Sequence, residues 1–183
     1  EVVSMPEETT AALADETNET PAASTIDEPA EIANPPSAAA SNAKPEGLEA
    51  LRLQVFLDKS DFGPGVIDGR MGQFSELAVR SWNEVNGHPL DDWSAVTVAA
   101  KSAVPEPLVT VTVPNVATKW VNPSLPTKRS LQASARRMSY RSIAEFMAER
   151  YHSDVPYLTE LNAGVKIQNL KPGDSLIVPN VAP

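Results

Sequence analysis

The sequence predicts an α+β chain in four parts. These are a disordered, acidic Pro/Ala-rich tether over 1–45, a small helical module over 46–90, a linker over 91–107, and a strand–helix–helix–strand module over 108–181. The last carries a long insertion, 114–141, after its first strand. Three observations carry this reading. Residues 1–45 hold nine acids against one base, Lys44, with six prolines and no aromatic, whereas residues 46–183 hold 15 acids and 14 bases. Residues 46–86 space their apolar side chains as two amphipathic helices. Two β-rich runs, 108–113 and 176–178, bracket two further stretches with helical spacing and caps.

The tether follows from composition. A segment rich in acid, proline and small residues buries too little apolar surface to offset the entropy of ordering it. The whole chain has a net charge of −9, which argues against nucleic-acid binding through counterion release. It contains no cysteine, so a disulfide scaffold, a thiolate metal site and a cysteine nucleophile are excluded. No apolar run approaches the roughly 18–20 residues that span a bilayer. The first residues, Glu1-Val2-Val3, do not read as an export signal, so an exported chain would have had its signal removed.

In Glu46–Ser60, Leu48, Leu51 and Val55 recur at helical spacing and Phe56 widens the stripe. Gly63-Pro64-Gly65 ends this helix, and Asp68-Gly69 reads as a turn. A second helix is expected from about Ser75 to Asn86, with Phe74, Ala78, Trp82 and Val85 on one face and Gly87 as its exit. Residues 87–107 mix turn formers with a short apolar stretch and read as a linker, with Trp93 packing back onto a neighbouring surface. Leu108–Val113 alternates β-branched residues and reads as a strand closed by Pro114. No acid occurs from Pro107 to Ala144, while Lys119, Lys128, Arg129, Arg136, Arg137 and Arg141 supply six positive charges. These form either a solvated surface or a patch for an anionic polymer.

Ser142-Ile143-Ala144-Glu145 fits a capping box, and Ile143, Phe146, Met147, Arg150 and Tyr151 continue with helical spacing. A second short helix is expected over about 155–162, with Asp154 as its cap, Pro156 in its first turn and Gly164 as a left-handed exit. Lys171-Pro172-Gly173-Asp174 is a type II turn by composition and feeds the strand Leu176-Ile177-Val178.

The stretch from Leu48 to Gly87 resembles the small helical peptidoglycan-binding domain of bacterial cell-wall hydrolases and transpeptidases. The resemblance rests on the Leu-rich helix Leu51–Leu57, the Gly63–Gly65 loop, the Asp68-Gly69 to Gly72 turn, and Ala78-Val79 with Trp82. It departs from the family at Gln73-Phe74-Ser75, and it implies a three-helix module. Residues 142–180 resemble the LysM (lysin motif) domain through Ile143-Ala144, Tyr151, Leu158, Leu161-Asn162, Leu170, Pro172-Gly173 and Leu176–Pro179. A usual LysM joins its first strand to its first helix by a tight turn, whereas about 28 residues separate Val113 from Ser142 here.

The LysM resemblance implies a shallow glycan groove. Carried over by position, one wall is Tyr140, Arg141 and Ser142, and the other is Asn162, Ala163, Gly164, Val165, Lys166 and Ile167. Backbone amides with one or two apolar side chains suit an N-acetyl sugar, whose acetamide needs a donor, an acceptor and a methyl pocket. The insertion could instead cap the groove and leave a protein-facing LysM. The two modules in tandem also resemble the non-catalytic N-terminal half of an L,D-transpeptidase, whose chemistry needs a Cys nucleophile.

Other chemistries find no constellation. His88 and His152 lie 64 residues apart with no serine arrangement beside them. Glu149-Arg150-Tyr151-His152 supplies one Glu-x-x-His where a di-metal bundle needs two. The would-be calcium loop Asp58–Gly69 places Phe62 and Gly69 at ligand positions. The glycines of 63–72 lack the preceding strand of a phosphate loop, and paired carboxylates for glycoside hydrolysis cannot be placed. The expectation is therefore a non-catalytic envelope protein without cofactor or metal, periplasmic or extracellular. It would bind peptidoglycan or an N-acetylglucosamine-containing glycan, and envelope proteins are a further class of partner. A protein-interaction scaffold built on the same folds is the alternative. Modules this small are expected to dock on one another, with Trp93 and Trp120 as candidate interface aromatics.

Overall fold

The computed structural model describes residues 42–135 and 137–182. The tether expected over 1–45 falls, apart from 42–45, outside these residues. The four that are described engage the fold. Asn42 Oδ1 accepts hydrogen bonds from Trp93 N (2.7 Å) and Ser94 N (3.3 Å), and Lys44 pairs with Glu76.

The first half is built around α1 (Gly47–Lys59), whose residues Ala50, Leu51 and Leu53–Leu57 are all buried. Two helices cover it from different sides, so burial runs around its circumference and Leu48 is left half exposed. One is α2 (Gln73–Val85), which buries Ser75, Ala78, Val79, Trp82 and Asn83. The expected face was partly misplaced: Phe74 is 71% exposed and Val85 is exposed, because Ser75 and Val79 turn inward in their place. Ser75 Oγ donates to Pro64 O at 3.0 Å, so a small hydroxyl residue lets the Gly-Pro loop approach the helix start.

The other covering helix corrects the linker expected over 91–107. Trp93–Ala103 forms α3, capped by Asp92 Oδ1 accepting from Ala95 N at 3.0 Å, with Val96 and Ala100 buried against α1. Its mostly small side chains hide the pattern: only two positions, four apart, enter the core. Asn83 Nδ2 ties the α2–α3 loop by donating to Leu90 O and Asp92 O. Gly87 takes positive φ after α2, as expected.

In the second half, β1 (Leu108–Thr112) pairs antiparallel with β2 (Ser175–Pro179), in register from Leu108 opposite Pro179 to Thr112 opposite Ser175. Between them lie α4 (Ala117–Trp120) and α5 (Arg129–Gln132) within the insertion, then α6 (Ile143–Arg150), α7 (Val155–Leu161) and a 3-10 turn, Ile167–Asn169. The described residues are mixed helix and strand, an α+β architecture. The insertion is tied off at its base, where Tyr140 N donates to Trp120 O (2.9 Å) and Asn122 N to Tyr140 O (2.7 Å).

Local signals at the helix ends hold with two differences. Ser142 Oγ accepts from Glu145 N at 3.1 Å, but the returning Glu145 carboxylate takes Arg141 N (2.5 Å) in place of Ser142 N. Asp154 caps α7 by accepting from Tyr157 N at 2.8 Å. Gly164 is not in the left-handed region; Asn162 ends α7 instead, its carbonyl accepting from Val165 N at 2.8 Å. The left-handed residue of this half, beyond the Gly173 turn, is His152 (φ 51°) after α6.

The halves dock through loops. Ile67 N donates to His152 O (2.8 Å) and Ser153 Oγ donates back to Ile67 O (2.9 Å). His152 Nδ1 meets Asp58 Oδ1 at 2.8 Å, and Arg70 pairs with Glu160 at 3.4 Å. Tyr157 lies beneath Gly69 (φ 73°), where an added Cβ would sit 3.2 Å from Gly47 O and 3.5 Å from the Tyr157 hydroxyl. Buried residues from both halves form one hydrophobic cluster. The aromatics expected at the interface lie elsewhere. Trp93 begins α3 and packs partly buried on the core, and Trp120 is 41% exposed with the Arg137 guanidinium 4.9 Å over its ring.

Candidate functional site

The candidate groove residues divide into those that hold the fold and those that face outward. Asn162 is 6% exposed and its amide is fully engaged. Nδ2 donates to Leu158 O (2.9 Å) and Ile177 O (2.8 Å), while Oδ1 accepts from Ile177 N (2.8 Å). One side chain thus fastens the end of α7 to the outer edge of β2. Ile167 is 1% exposed and belongs to the core. Neither side chain is available to a ligand, which corrects the expectation that both line the groove wall.

Ala163, Gly164, Val165 and Lys166 are exposed between these two anchors. The N–H groups of Val165 and Ile167 are bonded, to Asn162 O and Val165 O. Those of Ala163, Gly164 and Lys166 make no backbone hydrogen bond among the described residues. Nothing lies within 4 Å of a Cβ built on Gly164, so the loop crest is open. Val165 supplies an apolar surface at 37% exposure.

On the other segment, Ser142 is committed to capping α6. The Tyr140 ring packs edge-on against Phe146 at 5.4 Å, and its hydroxyl donates to Glu149 Oε1 at 3.3 Å. Burial, followed by the Glu149 and Glu145 carboxylates, raises the pKa of this phenol, so it stays a neutral donor and acceptor. Arg141 is exposed and donates to Pro126 O at 3.3 Å, tying the insertion to the start of α6. The 3-10 turn at 167–169 packs against α6. The 163–166 segment offers backbone N–H groups, the Val165 surface and the Lys166 cation, and the 140–141 segment offers a phenol and a guanidinium.

Sequence reasoning missed Gln54. It is fully buried in α1, and Oε1 accepts from Asp68 N (3.1 Å) and Gly69 N (2.8 Å). Its Nε2 faces Val66 O, Asp68 Oδ1, Arg70 O and Ser75 Oγ at 3.0–3.2 Å. A single amide therefore shapes the Asp-Gly turn that docks on Tyr157. The available signal was one amide inside the apolar run Leu53-Gln54-Val55-Phe56-Leu57.

Neither histidine joins a reactive cluster: His88 stacks on Trp82 with centroids 5.5 Å apart, and His152 faces Asp58. No helix among the described residues is long and apolar enough to cross a membrane. No protein-family model matches the chain, and no curated protein sequence matches it either.

Proposed function

We propose that this chain is a non-catalytic cell-wall binding and targeting protein of the bacterial envelope. It holds peptidoglycan or another N-acetylglucosamine-containing glycan in the periplasm or outside the cell. The observation that carries the proposal is the 163–166 loop: it is anchored at its ends by Asn162 and the buried Ile167, and among the described residues the N–H groups of Ala163, Gly164 and Lys166 make no hydrogen bond at an open crest. Such a loop gives an acetamide carbonyl its donors, and Val165 gives the methyl a surface. The LysM resemblance adds Tyr140 and Arg141 as groups to contact hydroxyls or carboxylates. The resemblance of the β1–α6–α7–β2 order to LysM supports the same reading.

Titration calorimetry with chitooligosaccharides, and co-sedimentation with insoluble peptidoglycan, test it. Val165→Asp should weaken saccharide binding by about tenfold or more, roughly 1.4 kcal/mol, with an unchanged melting temperature. Gly164→Trp should abolish binding while the protein folds, since the position is open and its φ is not left-handed. Absence of saccharide binding by the wild type at millimolar concentration would overturn the proposal.

A further inference from the structure

A cleft of about 660 Å³ opens between the Gly65-Val66 loop of the first half and the α6–α7 corner of the second. Its surface is apolar, from Val66, Ala148, Val155 and Pro156, and its charged rim is formed by Glu145, Glu149 and Asp154. No lysine or arginine lines it. Each rim carboxylate is fixed through one oxygen: Glu145 by Arg141 N, Glu149 by the Tyr140 hydroxyl and Asp154 by Tyr157 N. The second oxygen of each makes no hydrogen bond, and none of the three acids forms an ion pair among the described residues. Glu145 and Glu149 are one helical turn apart, where like charges repel unless a cation lies between them.

The chain carries the complement of this cleft on its insertion. Helix α5 is one turn long and buries none of its residues. Its Leu131 is 55% exposed and Met138 is exposed as well, flanked by Lys128, Arg129 and Arg137. The side chains of Lys128 and Arg129 form no ion pair among the described residues. A single helical turn gains almost nothing from its own hydrogen bonds, and an uncovered leucine on it gains nothing from burial. This exposed turn sets an apolar side chain beside two cations, while the cleft sets an apolar surface beside three carboxylates.

We infer that the cleft receives the 128–132 protrusion of a second copy of this chain, Leu131 meeting its apolar surface while Lys128 and Arg129 meet Glu145, Glu149 and Asp154. Two different surfaces meet, so the contact is heterologous: each copy keeps a free cleft at one end and a free protrusion at the other, and copies add head to tail. An interface this small falls at the weak, transient end of the scale. On a repetitive polymer, weak lateral contacts between bound copies raise total retention through effective concentration. The inference does not depend on glycan binding, and its test uses no saccharide.

Sedimentation velocity of the full chain in low salt, up to about 1 mM, reads the contact, because weak complexes are populated there. Average mass should rise with concentration and fall back as salt screens the rim. Glu149→Lys and Arg129→Glu should each sediment as monomers. An equimolar mixture of the two should associate again, since each variant's cleft then opposes the other's protrusion in charge. Leu131→Ser, at an exposed position that leaves folding intact, should weaken association by about tenfold or more. A wild type that stays monomeric throughout this range overturns the inference, as does association that both charge variants retain. A monomer whose cleft resonances shift on adding the peptide Ala-Ala-Lys would also overturn it, in favour of a foreign basic peptide.

Discussion

Asp58 and His152, 94 residues apart in the chain, meet at 2.8 Å where α1 ends and α6 turns toward α7. The contact exists because His152 adopts φ 51°, which aims its ring at Asp58 and its carbonyl at Ile67 N. A residue with a Cβ is thus held in a conformation that normally favours glycine, at a cost of about 1–2 kcal/mol. The carbonyl contact needs only the backbone. His152→Gly should therefore be nearly neutral, because relief of strain offsets the loss of a partly exposed side-chain pair. His152→Ala, which keeps the strain and loses the pair, should be the less stable of the two by about 1 kcal/mol in urea denaturation. Equal stabilities would refute this account of the junction.

Gln54→Leu should be among the most damaging single changes in the first half. It leaves the Asp68 and Gly69 amides without their acceptor and the Val66 and Arg70 carbonyls without this donor, around a side chain that is itself fully buried. A loss of about 3 kcal/mol or more is expected from thermal or chemical unfolding. Gln54→Glu separates charge from shape, since it keeps the acceptor but removes the donor. A loss below about 1 kcal/mol for Leu would mean that the turn holds itself.

Asn162 should behave as a fold residue and not as a ligand contact. Asn162→Ala orphans both Ile177 N and Ile177 O and should cost about 2–3 kcal/mol. Saccharide affinity of the molecules that remain folded should change little, and titration below the transition temperature checks this. A loss of binding without a loss of stability would return Asn162 to the contact surface.

The segment from Asn42 to Glu46 should contribute stability despite lying at the edge of the acidic region. Asn42→Ala removes the acceptor of two α3 amides and should cost about 1 kcal/mol, a typical value for losing a helix cap. A chain starting at Gly47 should melt lower than one starting at Asn42. Identical melting temperatures would show that Asp92 alone suffices.

Stability should fall above about pH 10. The Tyr157 phenol is raised above its ordinary 10.0 first by burial, then by the Glu160 and Asp68 carboxylates, with Arg70 opposing. Tyr140 shifts the same way. An unfolded chain loses these protons near pH 10 while the folded chain keeps them, so unfolding releases protons and alkali favours it. The contribution is complete below the unfolded pKa and lost as pH rises through the folded one. Urea midpoints between about pH 9 and 11 should decline less steeply for Tyr157→Phe than for the wild type. A Tyr157→Phe slope as steep as that of the wild type would sink the assignment.

Helices with an apolar stripe (α1, α2) or a side-chain cap (α6, α7) are legible in the sequence: all four begin and end within two residues of expectation, and the β1 and β2 runs pair as a sheet. Three things are not. Helix α3 hides behind small side chains, since Ala and Ser mark neither face, and its cap at Asp92 was read as part of a turn. On α2, Ala78 and Trp82 face inward as expected, but Phe74 and Val85 do not: hydrophobicity favours Phe74, whereas the close approach of the Gly-Pro loop requires Ser75. For the expected groove residues the roles turn on burial, which is a tertiary property. Nothing local to Asn162 or Ile167 says that β2 and the core will claim them.

The two hydrogen bonds at Ile67, its N–H to His152 O and its carbonyl from Ser153 Oγ, have an effect on how this molecule can be assayed. They join two halves that share one hydrophobic cluster, so the two are expected to unfold in a single transition. The unfolding transition is then a common signal: any compound that binds the 163–166 loop will protect α1 and α2 from heat and protease as much as it protects α6. The upward shift follows the logarithm of ligand concentration over its dissociation constant. A protease site placed in the α2–α3 loop would therefore serve as a reporter for ligands of the 163–166 loop that never touch it.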